Sequence, residues 1–258
     1  MTFISLSRFH SGKVPKKFIT SIHQHNFIFA ILGYYTYFYY ICVINIITMQ
    51  LVSSKIEALR ELLATPQSIV ILSHTNPDGD AIGSSLAWAE ILRKHGHKVT
   101  CIVPNRYPYY LEFMPDIASM VIFKNDSEGR AKEALKRADI IFCLDFHLLS
   151  RLDQLGDIID ENQHAKRVLI DHHLDPADDF DIMLSHTEAS STCYLVARLI
   201  EEMWGAEHIS RAMAENLFVG MMTDTGNFSF SSVTPDVFRV VSILAETGIS
   251  IPNIHIHV

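Results

Sequence analysis

The stretch "SIVILSHTNPDGDAIGSS" at residues 68–85 joins a short aliphatic run to an acidic turn and then to the start of a helix. Similar aliphatic runs follow at 98–104, 119–123, 139–146 and 167–173. Helical segments are predicted near 80–95, 127–137, 148–163, 190–204, 208–222 and 234–247. Short runs that alternate with helices are typical of parallel strands buried on both faces. The sequence therefore predicts an α/β fold with a doubly wound, mainly parallel sheet flanked by helices.

Three of these runs end in polar residues that can bind a cation or a phosphate. They are His74 with Asn76, Asp78 and Asp80 after the first run, Asp145 after "FCL", and Asp171, His172 and His173 after "VLI". Because the carboxyl ends of parallel strands meet at one edge of the sheet, we expect these side chains to converge there. Asp80 is also predicted to start the next helix and to cap it. A further carboxylate, Asp224, lies in "GMMTDTGNFSF", where an apolar helix ends in a polar turn.

The converging residues are too many for one tetrahedral zinc ion, and no cysteine joins them. The set consists of two histidines and four carboxylates: His74, Asp78, Asp80, Asp145, His172 and Asp224. Oxygen ligands with a minority of imidazole suit Mn²⁺, or Mg²⁺, better than a thiolate-binding ion. The number of ligands suits two ions that lie about 3.5–4 Å apart and share one bridging carboxylate. Such a pair of ions binds a phosphoryl group. A single histidine at a strand end is more often a capping residue, so the prediction depends on the complete set.

Charge and cysteine content restrict the partners and the compartment. Four of the 21 basic residues lie in the first 48 positions, which leaves 17 basic residues against 29 acidic ones in the rest of the chain. Such a surface repels nucleic-acid backbones, so we expect no binding of long duplexes. The four cysteines show no CxxC spacing and fit reduced thiols of a cytoplasmic protein.

The first 48 residues differ from the rest and leave two alternatives open. Residues 27–47 carry no charge and are long enough to span a bilayer, with basic residues ahead of them. The segment is then a membrane anchor, and the protein is membrane-associated. Alternatively, Met49 is the true start, since amino-acid usage changes abruptly there and "MQLVSSKIEALRELLATPQ" begins with a capped amphipathic helix. The sequence therefore divides into a hydrophobic extension, residues 1–48, and a globular domain, residues 49–258.

The motifs "HTNPDGDAIGSS", "CLDF", "DHH" and "TDTGNF" resemble, in this order, the four motifs of the DHH phosphoesterases. The resemblance covers about residues 50–250. The motifs are most similar to those of the small oligoribonucleases and pAp phosphatases, a branch whose N-terminal domain is RecJ-like. The resemblance implies that His74 and Asp78 hold one Mn²⁺, that Asp80, His172 and Asp224 hold the other, and that Asp145 bridges them. It also implies that His173 contacts the scissile phosphate and that Asp171 orients its neighbours. Asn76 and Ser191 are the expected substrate contacts.

The resemblance also suggests an activity and an incomplete domain set. Members of the family carry a C-terminal substrate domain with a glycine-rich motif, and this sequence ends before such a motif, so we expect the domain 49–258 to be truncated. The leading function is an Mn²⁺-dependent phosphohydrolase or exonuclease acting on short oligoribonucleotides (nanoRNA), pAp or pApA. The alternatives are a membrane-tethered cyclic-dinucleotide phosphodiesterase and a truncated, non-catalytic nucleotide-binding domain. The oligomeric state stays open, a homodimer included.

Overall fold

A parallel sheet of six strands forms the centre of the computed structural model, which describes residues 55–258. The strands are β1 (Ser68–Leu72), β2 (Lys98–Val103), β3 (Val121–Ile122), β4 (Ile140–Leu144), β5 (Lys166–Asp171) and β6 (Ile182–Ser185). Their order is β3-β2-β1-β4-β5-β6, and every neighbouring pair is parallel. The predicted doubly wound parallel sheet is therefore confirmed. Its direction of winding changes between β1 and β4, where a crevice opens at the carboxyl ends of the strands.

The helices cover both faces of this sheet. A first helix, α1, occupies residues 55–62 of the described range. The others are α2 (Gly79–Lys94), α3 (Arg130–Lys136), α4 (Gln154–Ile159), α5 (Thr192–Trp204), α6 (Arg211–Asp224), α7 (Pro235–Glu246) and α8 (Ile251–His257). Helices α2, α5, α6 and α7 contribute to the larger hydrophobic layer, whereas α3 and α4 contribute to the smaller one.

Side chains of the central strands point alternately to the two faces of the sheet, and they contribute to both layers. In β1, Ile69 and Ile71 belong to the larger layer, whereas Val70 and Leu72 belong to the smaller layer on the opposite face. All four side chains are at most 2 % exposed. Successive side chains of a strand point to opposite faces, so a strand covered on both sides becomes a continuous aliphatic run. This arrangement explains why the runs in the sequence show no alternation of polar and apolar residues.

Close packing of α2, α5 and α6 depends on two glycines. A Cβ atom on Gly83 of α2 would overlap the carbonyl oxygen of Asn216 in α6. A Cβ atom on Gly220 of α6 would overlap the sulfur of Cys193 in α5 and lie 2.9 Å from the Cα atom of Asp80. Only glycine allows such a close approach of backbones. The helix that carries Asp224 is thereby held against the helix that begins beside Asp80.

The structure differs from the sequence prediction at several helix ends and at one strand. Helix α3 is shorter than the predicted segment 127–137, and the segment 148–163 divides into a 3₁₀ turn, Leu149–Leu152, followed by α4. Strand β6 was not predicted, because it is a four-residue edge strand with mostly half-buried side chains. The predicted capping role of Asp80 is wrong. Asp78 is the N-cap of α2, and its side chain accepts hydrogen bonds from the backbone N–H groups of Asp80 and Ala81.

The prediction of a hydrophobic extension concerns residues 1–48, which lie outside the described residues. Between residues 55 and 258, no single helix has the length and hydrophobicity that a membrane span needs. Helices α7 and α8 meet those requirements only when taken as a pair, with a bend of 104° between them.

Candidate active site

The predicted metal-binding residues meet at the carboxyl ends of β1, β4 and β5 and at the end of α6. His74 follows β1, Asp145 follows β4 directly, and His172 follows β5. Asp224, expected just beyond a helix, is the last residue of α6. Asp145 has a left-handed backbone with φ 64°, which is uncommon for a residue other than glycine. Such strain persists where the surrounding structure determines the conformation, and it is frequent at functional sites.

Backbone carbonyls orient two histidines of the site in the same way. Nδ1 of His74 lies 2.9 Å from the carbonyl oxygen of Thr75, and Nδ1 of His172 lies 3.3 Å from that of Ala189. Because a carbonyl oxygen can only accept, each Nδ1 carries the proton and donates it, which leaves Nε2 of a neutral ring as a lone-pair donor. Both Nε2 atoms point at carboxylates rather than at hydrogen-bond donors.

The side chains form two groups that share Asp145. In the first group, Nε2 of His74 lies 4.0 Å from Oδ2 of Asp78 and 3.5 Å from Oδ2 of Asp145. In the second group, Nε2 of His172 lies 3.3 Å from Oδ2 of Asp224 and 3.9 Å from Oδ2 of Asp80. The same Nε2 lies 3.6 Å from Oδ1 of Asp145, so Asp145 borders both groups. Within each of the sets His74–Asp78–Asp145 and Asp80–His172–Asp224, all candidate ligand atoms lie within 4.8 Å of one another. The structure therefore brings together all six predicted metal-binding residues.

The N-terminus of α5 holds the buried carboxylate of Asp80. Oδ2 of Asp80 accepts a hydrogen bond of 2.6 Å from the backbone N–H of Thr192, and Oδ1 accepts one of 2.7 Å from that of Cys193. These amides are the unpaired donors of the first helical turn, where the helix dipole also favours a negative charge. The hydroxyl of Thr192 donates a bond of 3.0 Å to Oδ1 of Asp145. One helix end thus positions two carboxylates, Asp80 in the first turn of α2 and Asp145 directly after β4.

Burial and mutual repulsion raise the pKa values of the clustered carboxylates. Burial is the largest cause for Asp80 and Asp224 and raises the pKa of each to about 6. Burial, together with the charges of Asp80 and Asp78, raises the pKa of Asp145 well above its usual range. Among residues 55–258, no lysine or arginine forms an ion pair with these carboxylates. Without a cation, the cluster is electrostatically unfavourable at neutral pH.

His173 is placed differently from the other two histidines. Its Nδ1 lies 2.8 Å from Oδ1 of Asp171, whose Oδ2 accepts a hydrogen bond of 3.1 Å from the backbone N–H of His173. The hydrogen bond to Asp171 is the main cause that raises the pKa of His173, so its protonated form is favoured. Its side chain is 35 % exposed, against 18 % for His172 and 6 % for His74. His173 is therefore the histidine of this site that a ligand in the crevice can reach most easily.

The two predicted substrate contacts occupy contrasting positions. Asn76 is exposed in the turn after β1, with φ 55°, and exchanges two hydrogen bonds with Asn105. Ser191 is fully buried and caps α5, because its side chain accepts a hydrogen bond from the backbone N–H of Tyr194. Asn76 can face a ligand directly, whereas Ser191 acts on the site through the helix that holds Asp80. Contacts of both residues with a substrate stay predictions.

Three neighbours of the site were not predicted as functional. Thr192 and Cys193 bind Asp80 through their backbone, and the motif "SST" indicated only that a helix starts there. His147 is half-buried, and its ring stacks on that of His173 with centroids 5.4 Å apart. A histidine two residues after Asp145 is a signal that could have suggested this proximity.

The chemistry of the donor set fits divalent metal ions. In their neutral form, the rings of His74 and His172 present Nε2 lone pairs to four carboxylates, and the nearest of these atoms are 3.3–4.0 Å apart. Such a spacing places lone pairs against anions, which is repulsive until a cation lies between them. The oxygen-rich composition suits Mn²⁺ or Mg²⁺, and no cysteine sulfur offers a ligand in these groups. The two free histidine nitrogens are already oriented for such an ion.

Known proteins with similar sequences include several phosphoesterases. The bifunctional oligoribonuclease and PAP phosphatase NrnA of Thermus thermophilus is 28 % identical over 207 residues, which cover 78 % of this chain and 56 % of the relative. The cyclic-di-AMP phosphodiesterase PdeA of Listeria monocytogenes is 25 % identical over 204 residues, which cover 74 % of this chain and 30 % of the relative. The chain therefore spans 56 % or less of the length of these two relatives.

A solved structure and a family profile agree with these similarities. The crystal structure of an exopolyphosphatase-related protein from Bacteroides fragilis superposes with a TM-score of 0.76 at 38 % identity, covering 80 % of this chain and 60 % of that one. The profile of the DHH family, N-terminal domain, matches residues 68–221, which include five of the six predicted metal-binding residues as well as Asp171 and His173. Together with the parallel sheet and the two ligand groups at its switch point, this match means that the chain belongs to the DHH family.

Proposed function

We propose that this protein hydrolyses phosphoester bonds of short oligoribonucleotides and of small phosphorylated nucleotides such as pAp, with two divalent cations of which Mn²⁺ is the preferred one. The observation that carries the proposal is the pair of ligand groups that share Asp145, because a shared carboxylate is the feature of a two-metal phosphoryl site. The functions of the similar NrnA proteins support the same substrate class.

Each group of side chains has a separate role in this proposal. His74 and Asp78 bind one ion, Asp80, His172 and Asp224 bind the other, and Asp145 bridges the two. Ions bound in this way polarise phosphoryl oxygens and generate a nucleophile from water near neutral pH. The amides of α5 fix the orientation of Asp80, and they favour its ionised form against the opposing effect of burial on its pKa.

The protein's own side chains complete the chemistry at the phosphate. His173 donates a hydrogen bond from Nε2 to a non-bridging oxygen of the scissile phosphate, where negative charge increases in the transition state. Asp171 holds the other ring nitrogen and keeps the proton on His173. The net negative charge of the chain disfavours long polyanions, which is consistent with short substrates.

The test is hydrolysis by the full chain of pAp, a short RNA and linear pApA, measured as release of phosphate and mononucleotide. We expect Mn²⁺-dependent turnover that a chelator abolishes and that Asp145→Ala abolishes as well. The control is Asp157→Ala, which removes an exposed aspartate on α4 and should leave turnover unchanged.

Each alternative outcome has a definite meaning. Turnover by the Asp145→Ala protein would refute the two-metal proposal. Turnover of a cyclic dinucleotide in preference to pAp and short RNA would favour the activity of the similar PdeA protein. Nucleotide-dependent thermal stabilisation without any turnover would mean that this chain only binds nucleotides.

A further inference from the structure

Arg151 differs from every other arginine between residues 55 and 258, because its guanidinium group has no partner there. Eight of the other nine form an ion pair with a carboxylate, and Arg60 donates two hydrogen bonds to backbone carbonyls. For the side chain of Arg151, the same region of the structure provides neither an ion pair nor a hydrogen bond. The cation is therefore free to bind an anion that is not part of the chain.

The backbone places Arg151 beside the candidate active site. It lies in the 3₁₀ turn Leu149–Leu152 after β4, and its carbonyl oxygen accepts a hydrogen bond of 2.8 Å from the backbone N–H of Thr75. That bond joins the turn to the loop after β1, which carries His74 and Asn76. Arg151 and His74 also line the same cleft, so the arginine borders the first ligand group.

A cleft leads from the metal-binding residues to Arg151. It has a volume of about 590 Å³, and its wall includes His74, Asp78, Asn76, Ser150 and Arg151. This volume is within the range of small-molecule sites and is large enough for a nucleotide. Asp153 also lines the cleft, but its charge is paired with Lys124 at 3.2 Å. Arg151 thus provides the unpaired charge in the cleft that is opposite in sign to a phosphate.

The charges of the site and of its substrate favour an additional positive group such as Arg151. Five aspartates surround the site: Asp78, Asp80, Asp145, Asp171 and Asp224. If two divalent ions bind as proposed above and His173 is protonated, these charges cancel before any substrate arrives. A substrate with two phosphates adds several negative charges, so an additional positive group favours binding.

We propose that Arg151 binds the non-scissile phosphate of the substrate, with the side chains of Asn76 and Ser150 as further hydrogen-bond donors in the same cleft. This inference rests on the proposed function, in which His173 contacts the scissile phosphate. The substrate class that follows is a nucleotide with a second phosphate near the bond that is cleaved. Arg151 would then determine specificity, because a bidentate guanidinium recognises phosphate by both charge and geometry.

The experiment compares pAp with adenosine 3′-phosphate, which lacks the 5′-phosphate, in the full Mn²⁺-loaded chain. We expect Arg151→Gln to raise KM for pAp about 10- to 100-fold, with kcat changed little. Hydrolysis of adenosine 3′-phosphate should be the same in both proteins, and Arg151→Lys should recover part of the affinity. The control is Arg137→Gln, which removes an exposed arginine at the C-cap of α3 and should leave the hydrolysis of both substrates unchanged.

A binding measurement separates this inference from the proposed function. Calorimetry with AMP, whose 5′-phosphate is the probe, should show affinity that Arg151→Gln weakens and Arg137→Gln retains, even if no substrate is hydrolysed. If Arg151→Gln reduced the hydrolysis of pAp and of adenosine 3′-phosphate equally, Arg151 would act at the scissile phosphate. That result would overturn the proposal. Unchanged AMP affinity in Arg151→Gln, or undetectable AMP binding by the unmodified chain, would overturn it as well.

Discussion

The two carboxylate oxygens of Asp145 face two different histidines. Oδ2 lies 3.5 Å from Nε2 of His74, and Oδ1 lies 3.6 Å from Nε2 of His172. The side chain is almost fully buried, and Thr192 fixes it with a hydrogen bond. Each oxygen can therefore belong to a different ligand group without a change of the Asp145 rotamer.

Replacing Asp145 by asparagine should remove the bridging ligand and keep the shape of the site. We expect turnover to fall by more than about 100-fold, since even groups that only support metal ligands affect metal sites by 10- to 100-fold. Calorimetry should show fewer or weaker Mn²⁺ sites. The metal-free variant should be at least as stable as the unmodified protein, because one buried charge is gone. Unchanged Mn²⁺ stoichiometry and affinity would contradict the bridging role.

Neutral pH should destabilise the metal-free protein more than the metal-bound protein. Burial raises the pKa values of Asp80 and Asp224 to about 6, above the value of about 4 expected for an unfolded aspartate. A carboxylate whose pKa is higher in the folded than in the unfolded protein stabilises the folded state while it is protonated. This contribution is complete below the pKa of the unfolded state, and it is lost as the pH rises through the pKa of the folded state. In chelator, these groups should therefore make the protein more stable at pH 5 than at pH 7.5.

Thermal unfolding with and without Mn²⁺ at these two pH values measures the effect. We expect Mn²⁺ to raise Tm more at pH 7.5 than at pH 5, with a difference of at least about 2–4 °C, because protons compete with the ion at the lower pH. Asp224→Asn should reduce this difference. An equal Mn²⁺-dependent shift at both pH values would show that these carboxylates do not bind the ion.

His173 and Asp171 should affect turnover without removing the metal ions. We expect His173→Gln to lower kcat by about 10²–10³, the usual effect of losing one donor to a developing oxyanion, with Mn²⁺ affinity retained. Asp171→Asn should lower the pKa of His173, since the hydrogen bond to Asp171 is the main cause that raises it. The alkaline limb of the pH–rate profile should then move to lower pH. A profile that does not move would mean that His173 does not act as the protonated donor.

The contact between α5 and α6 should be sensitive to one methyl group. Gly220→Ala introduces a Cβ atom that overlaps the sulfur of Cys193, and we expect a loss of about 1–3 kcal/mol in the free energy of unfolding. Cys193→Ala removes that sulfur and should restore part of the stability of Gly220→Ala. Chemical denaturation of both single variants and the double variant gives the coupling energy. Additive effects would mean that the strain lies elsewhere.

The sequence was sufficient to predict the sheet and the convergence of the six candidate metal ligands, for a clear physical reason. Strands buried on both faces appear as aliphatic runs, and the polar residues that end them must lie at one edge of a parallel sheet. Asp145 and His172 could therefore be grouped, although only the structure gives their distance of 3.6 Å.

Other parts of the site depend on contacts that no local pattern reveals. Strand β6 is short and lies at the edge, so it has little hydrophobic signal. Asp78 and Asp80 are equally good caps by composition, and only the tertiary contact of Asp80 with α5 decides between them. Arg151 looks like any exposed arginine until the loop after β1 is placed beside it.

The bond between Asp80 and the N-terminus of α5 joins residues 112 positions apart in the chain. The oxygen of Asp80 can be fixed only after residue 192 has been synthesised and helix α5 has formed, and the second ligand group also needs Asp224. Contacts of such long sequence separation form late, because closing large loops is entropically costly. During synthesis, the nascent chain would therefore gain its full affinity for a second cation only near the end of folding. Retention of that ion would report that the sheet and its larger helical layer are assembled.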